Sequence, residues 1–120
     1  MNVLLVEDNV DIGDAIAAHV IADGNRVDWC MNLRDAFRKL LSKKYDLILL
    51  DLRLPDGNGL TLLEDIRGGN DDVPVIIMTA QDQQSDRLEG MVRGTNDFLV
   101  KPFDLAELSN RMRLIKNCTR

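Results

Sequence analysis

Aromatic residues make up only 4% of this chain, histidine and tryptophan occur once each, and cysteine occurs twice. Cys30 and Cys118 stand too far apart to match any metal-ligand spacing, and they read as reduced thiols rather than a disulfide framework. No apolar run approaches the roughly 18 residues of a membrane span. No basic segment with an apolar stretch behind it marks a secretory leader either, so the cytoplasm is the expected compartment. Basic residues number 15 against 20 acidic ones, a net charge of −5. That balance lacks the clustered cations a phosphate backbone requires, so nucleic-acid binding by this segment is not expected. The glycine-rich GK[ST] loop of nucleotide-binding P-loops is absent. Gly57-Asn58-Gly59 lacks the third glycine of a dinucleotide fingerprint and follows the wrong strand context. There are no repeats or low-complexity stretches, and 120 residues at 45% hydrophobic content predict one domain over 1–120.

What the chain does have is a set of short apolar runs at regular intervals. Val3 to Val6, Arg26 to Cys30, Asp46 to Asp51, Val75 to Met78 and Asp97 to Val100 read as strands. Helical periodicity fills the gaps. Asn9 precedes a stripe of Ile12, Ala15, Ile16 and Val20 that Gly24 ends, and Asn32 precedes Ala36, Phe37, Leu40 and Leu41. The turn cluster Pro55 to Gly59 leads to Leu60, Leu63 and Ile66, stopped by Gly68-Gly69. A shorter fourth helix carries Leu88, Met91 and Val92, and Asp104 precedes a last one with Leu105, Leu108, Met112 and Ile115. Strict β/α alternation predicts right-handed crossovers and a doubly wound parallel sheet covered on both faces.

In such a sheet, ligands bind outside the carboxyl ends of the strands. Those ends carry Glu7-Asp8, Asp51, Thr79 and Lys101. Any one of them alone is as often solvated surface, and Thr at a strand end is usually β-propensity. Their joint occurrence at one edge is the signal. Three carboxylates and one ammonium sharing a crevice leave a net −2, which at low dielectric calls for a cation. Few oxygen ligands with room for water suit Mg²⁺ rather than Ca²⁺, zinc or copper, with Asp8 and Asp51 as direct ligands. Glu7 would act directly or through water, and the backbone carbonyl of Arg53 is within reach. A metal, an ammonium and a hydroxyl facing a carboxylate describe a phosphoryl receptor. In it Asp51 is either a ligand or a nucleophile that forms an acyl phosphate.

The segments VLLVEDN (3–9), DLILLDLRLPDGNGL (46–60), PVIIMTA (74–80) and NDFLVKPF (96–103) together resemble the receiver domain of bacterial two-component response regulators. The likeness spans the whole chain and is nearest to the OmpR/PhoB subfamily, mostly DNA-binding transcription factors. It implies a (βα)5 flavodoxin-like fold with strand order 2-1-3-4-5. It implies that Asp51 is the phosphoacceptor, that Glu7 and Asp8 are the acidic metal pair, that Lys101 contacts the phosphoryl group and that Thr79 and Phe98 form the switch. A cis Lys101-Pro102 bond is also implied. The implied partners are a sensor histidine kinase and a second copy of the chain, with DNA bound only through a domain outside it. The domain would not be an enzyme on separate substrates, although it would promote its own Mg²⁺-dependent phosphotransfer and dephosphorylation.

By the same resemblance, the dimer would form on the fourth helix, fifth strand and fifth helix, where Arg87 pairs with Glu107 and Asp97 with Arg111 across a two-fold axis. Exposed pairs of this kind contribute about 0–1 kcal/mol each, and solvated helix faces would look the same. Asn96 and Cys118 replace an expected Asp and Arg, which removes a third pair. Phe98 replaces the commoner Tyr, and Thr95-Asn96 replaces Ala-Asp, which reads as tuning of the output. Ala80 leaves the phosphoryl group open, and Arg53 and Gln81 flank the entrance. A phosphatase of the haloacid dehalogenase type would need a second Asp where Arg53 stands. A degenerate, merely protein-binding receiver would not keep Glu7, Asp8, Asp51, Thr79 and Lys101. His19, alone on an amphipathic helix, reads as surface or core edge.

Overall fold

Apolar residues alternate sides along the central strands, and that alternation builds two cores rather than one. In the computed structural model, which describes residues 1–80 and 94–117, the first half runs β1 (Asn2–Val6), α1 (Val10–Ala22), β2 (Arg26–Cys30), α2 (Leu33–Ser42) and β3 (Leu47–Asp51). There follow β4 (Arg53–Leu54), β5 (Gly57–Asn58), α3 (Leu60–Gly68), β6 (Val75–Ala80), β7 (Asp97–Lys101) and α4 (Leu105–Asn117). The expected helix around Leu88, Met91 and Val92 lies outside the described residues, as do Gln81, Arg87 and Cys118.

The main sheet is parallel throughout, in the order β2-β1-β3-β6-β7. Counting only its own strands, that is the flavodoxin-like order 2-1-3-4-5. On one face Leu4, Val6, Ile48, Leu50, Val75 and Ile77 pack with Leu33 and Ala36 of α2 and with Leu60, Leu63 and Ile66 of α3. On the other, Val3, Leu5, Leu47, Leu49, Ile76 and Met78 pack with Ile16 and Val20 of α1 and Leu108 and Met112 of α4. Each such side chain contributes about 1.5–3 kcal/mol when fully buried, so helices on both faces are the stable solution for strands this apolar.

The helix starts follow their caps. The Asn9 side chain accepts from the Ile12 N–H at 3.0 Å, and Asn32 accepts from that of Asp35 at 2.8 Å. Gly24 adopts φ +94 just past α1, a conformation that favours glycine.

Two stripe positions differ from expectation. Leu41 is 89% exposed, because one residue beyond Leu40 is a further 100° round the helix, and Leu33 fills the core position instead. Ala15 is exposed as well, while Gly13 is buried on the face of α1 that meets β2. The Pro55–Gly59 region holds more than a turn. Arg53 pairs with Asn58 and Leu54 with Gly57 in a small antiparallel hairpin, with Gly57 at φ +147. No helix among the described residues is long and apolar enough to cross a membrane.

Candidate functional site

Sheet register alone brings the strand-end residues together. Val6 aligns with Leu50, so Glu7 and Asp51 emerge side by side. Asp51 aligns with Met78, which puts Thr79 one step further, and Ala80 aligns with Lys101. All four therefore reach the same carboxyl edge. Among the described residues the buried polar or charged side chains are Glu7, Asp51 and Thr79, and all three lie here. Polar groups concentrated at one buried spot mark a functional site more strongly than any of them singly.

Lys101 organises the cluster. Its Nζ donates to Glu7 Oε1 at 2.6 Å and to Asp51 Oδ2 at 3.1 Å. The other Asp51 oxygen, Oδ1, accepts from the Arg53 backbone N–H at 3.2 Å, and Glu7 Oε2 accepts from that of Asn9, also at 3.2 Å. Asp8 is exposed at the mouth. Gly59 closes the floor: a Cβ there would stand 2.5 Å from the Asp51 carbonyl oxygen, so the chain can pass this close only as glycine. The Lys101-Pro102 bond is cis.

The electrostatics show an excess of negative charge. Burial is the largest influence on Glu7, the neighbouring Asp51 adds to it, and the carboxyl is pushed up to about 7 in spite of Lys101. Burial pulls the Lys101 ammonium down, but its bond to Glu7 and the charge of Asp51 outweigh this and hold it above its ordinary value. One ammonium thus neutralises only part of the cluster. Carboxylate oxygens of Glu7, Asp8 and Asp51 all lie within 4.8 Å of one another. An all-oxygen set short of positive charge fits a small hard dication such as Mg²⁺.

The remaining expected residues are placed as follows. Thr79 is fully buried, with its hydroxyl donating a long bond of 3.4 Å to the Ala80 carbonyl. Phe98 is half-buried against the α2–α3 core. Asp97 and Arg111 meet within one chain, where Arg111 Nη1 approaches both Asp97 oxygens at 3.0 and 3.1 Å. Glu107 lies 3.6 Å from Arg111 Nη2, and Arg87 is outside the described residues. Asn96 is a structural tie: its Oδ1 accepts from the Val75 N–H at 2.9 Å and from Arg67 Nη2 at 3.0 Å. His19 is far from the rim, in the last turn of α1, with Nε2 2.6 Å from Ser109 Oγ, which in turn donates to Asp23 at 2.7 Å.

One residue beside the site carried no motif. The Trp29 indole N–H donates to the Glu7 carbonyl at 2.9 Å, and the ring lies over Gly13. A lone glycine inside a helical pattern was the available signal, since it costs about 1 kcal/mol against alanine unless something packs there.

Residues 3–113 match the family of the response regulator receiver domain. The chain belongs to that family. The swarming motility regulation protein RssB of Serratia marcescens is 42% identical over 115 residues, which cover 96% of this receiver and 52% of RssB. The response regulator protein PmrA of Pseudomonas aeruginosa is 38% identical, covering 99% of this receiver and 54% of PmrA. The receiver therefore spans about half the length of these curated relatives. Among solved structures, the non-phosphorylated HemR receiver domain of Leptospira biflexa matches with a TM-score of 0.91 at 37% identity, over 99% of this receiver and 96% of HemR's chain. The receiver domain of the Francisella response regulator 1452 matches with a TM-score of 0.91 at 29% identity, over 99% and 98%. Relatives that include transcriptional regulators agree with the OmpR/PhoB resemblance of the motifs.

Proposed function

We propose that this receiver takes a phosphoryl group onto Asp51 from a phosphohistidine of a sensor kinase. The observation that carries the reading is the Lys101 ammonium bridging the buried carboxylates of Glu7 and Asp51 at the sheet's carboxyl edge. An Asp51 oxygen attacks phosphorus, the P–N bond breaks, and the electron pair leaves with the imidazole. Lys101 and the Arg53 N–H fix the attacking carboxylate, and the Lys101 ammonium would also meet the negative phosphoryl oxygens. Glu7, Asp8, Asp51 and the Arg53 carbonyl would hold Mg²⁺, which supplies positive charge against those oxygens when bound.

Beside Lys101 a groove lined by Ile12, Ala15, Phe103 and Leu105 supports the docking of a donor protein. Thr79 on β6, the strand beside Asp51, and Phe98 on β7, the strand beyond it, support a switch that passes from the site to the β7–α4 face. On that face Arg111 already pairs with Asp97 and Glu107 of its own chain, so a dimer would exchange internal pairs for external ones, each of about 0–1 kcal/mol, with little net gain from the charges. Transcriptional output would follow through a DNA-binding domain outside this chain, in the cytoplasm. Intact mass after incubation with acetyl phosphate and Mg²⁺ tests the reading. Wild type should gain one phosphoryl group and Asp51→Asn none, and equal labelling of the two would refute the nucleophile.

A further inference from the structure

We infer that Trp29, seated on Gly13, is a positioning residue that aims the Glu7-Asp8 segment at the cation site. The inference rests on the proposed Mg²⁺ role of that segment.

Trp29 acts where the sheet runs out. The β1–β2 ladder ends at Cys30, whose carbonyl accepts from the Glu7 N–H at 3.0 Å. The next acceptor, the Glu7 carbonyl, has no further β2 residue opposite it. The Trp29 indole reaches across at 2.9 Å and takes that role. Glu7 is thereby held at its own N–H by a strand, and the peptide joining it to Asp8 is held at its oxygen by a side chain. Glu7 is also tied at both carboxylate oxygens, by Lys101 and by the Asn9 N–H.

Asp8 differs. It is exposed, and the direction in which it leaves the backbone is set by the peptide that Trp29 clamps. A metal ligand displaced by even half an ångström loses much of its value.

The ring's own position is equally determined. An alanine Cβ at Gly13 would stand 2.1 Å from Trp29 Cζ2 and 2.5 Å from Cε2, so the indole can occupy this place only against glycine. Gly13 is joined to the same loop, its N–H donating to the Asn9 carbonyl at 2.8 Å. Strand end, acidic loop and first turn of α1 form one braced unit, with the indole as its cross-piece.

Trp29 is the chain's one tryptophan, so it can be replaced throughout by benzothienylalanine, which keeps the bicyclic shape and exchanges the N–H for sulfur. Mg²⁺ binding is measured by calorimetry on wild type, the benzothienyl protein, Trp29→Phe and Gly13→Ala, with unfolding in EDTA as the control for packing. The benzothienyl protein should lose no more stability in EDTA than one hydrogen bond accounts for, yet bind Mg²⁺ about tenfold more weakly, the low end of the loss when a group that orients a metal ligand is removed. Trp29→Phe and Gly13→Ala should weaken Mg²⁺ binding at least as much. Unchanged Mg²⁺ affinity in the benzothienyl protein would overturn the inference while leaving the phosphoacceptor reading intact. A wild-type protein indifferent to Mg²⁺ would overturn both.

Discussion

Lys101 stands closer to Glu7 than to Asp51, 2.6 Å against 3.1 Å, so the ammonium restrains the buried Glu7 more tightly than Asp51. Removing one partner of a buried pair leaves the other uncompensated, at a cost of about 3–5 kcal/mol. Lys101→Met should lose stability of that order in EDTA, and Mg²⁺ should restore more of it than it adds to wild type. Urea unfolding with and without Mg²⁺ makes the comparison; equal Mg²⁺ gains in the two proteins would count against the charge excess.

Glu7 predicts a pH dependence with a definite sign. Its carboxyl is raised from 4.5 to about 7 by burial first and Asp51 second, so between those values the native state binds more protons than the unfolded chain. Its contribution to stability is therefore complete below 4.5 and lost as pH climbs through 7. Mg²⁺ needs the carboxylate, so its affinity should rise over the same window and level off above it. In Glu7→Gln this pH dependence should flatten. A profile that kept its slope in the variant would assign the titration to another group.

Asp8 separates metal binding from folding. Its exposed carboxylate adds to the negative charge around Glu7 and Asp51, so Asp8→Asn should leave stability in EDTA unchanged or raised by up to about 1 kcal/mol. Mg²⁺ affinity should fall tenfold or more in the same protein, read by calorimetry. Unaltered binding would place the cation elsewhere.

Between α2 and β3, Tyr45 is buried and its hydroxyl donates to Asp28 of the edge strand β2 at 2.6 Å, with Lys43 at 3.1 Å from the same oxygen. These bonds hold Asp28 below its ordinary value, so their contribution is present above the usual carboxylate range and lost as pH falls through it. Tyr45→Phe should cost about 1 kcal/mol near neutral pH and progressively less in acid. Denaturation midpoints of the pair from neutral pH downward test this, and a constant difference would contradict it.

Asn96 tests whether a departure from the subfamily pattern serves the fold. Its oxygen satisfies the N–H of fully buried Val75 while also meeting Arg67. Asn96→Ala should cost about 1–3 kcal/mol by orphaning that donor, measurable by urea unfolding. A loss below half a kcal/mol would mean that water replaces the bond.

The site was legible because parallel register converts sequence position into spatial position. Glu7, Asp51, Thr79 and Lys101 each end an apolar run, and strands of similar length bring such ends together without any knowledge of side-chain contacts. Asn9 and Asn32 were legible as caps because capping reaches only three residues. Long-range side-chain bonds escaped. Trp29 with Glu7, Tyr45 with Asp28, and His19 with Ser109 join residues 22, 17 and 90 positions apart, with no periodicity to announce them. Asp56 likewise looked like turn chemistry, yet it accepts from the N–H groups of Leu33 and Arg34 at the start of α2. Leu41 was misplaced because a stripe drawn from composition does not show where the helix surface leaves the core.

Phosphorus NMR after addition of acetyl phosphate and Mg²⁺ tests the central claim most directly, because it reads the bond itself. A single acyl-phosphate resonance on the wild-type protein, absent in Asp51→Asn and lost on chelation of Mg²⁺, is the predicted result. No such resonance, or one that persists in the Asn variant, contradicts the account.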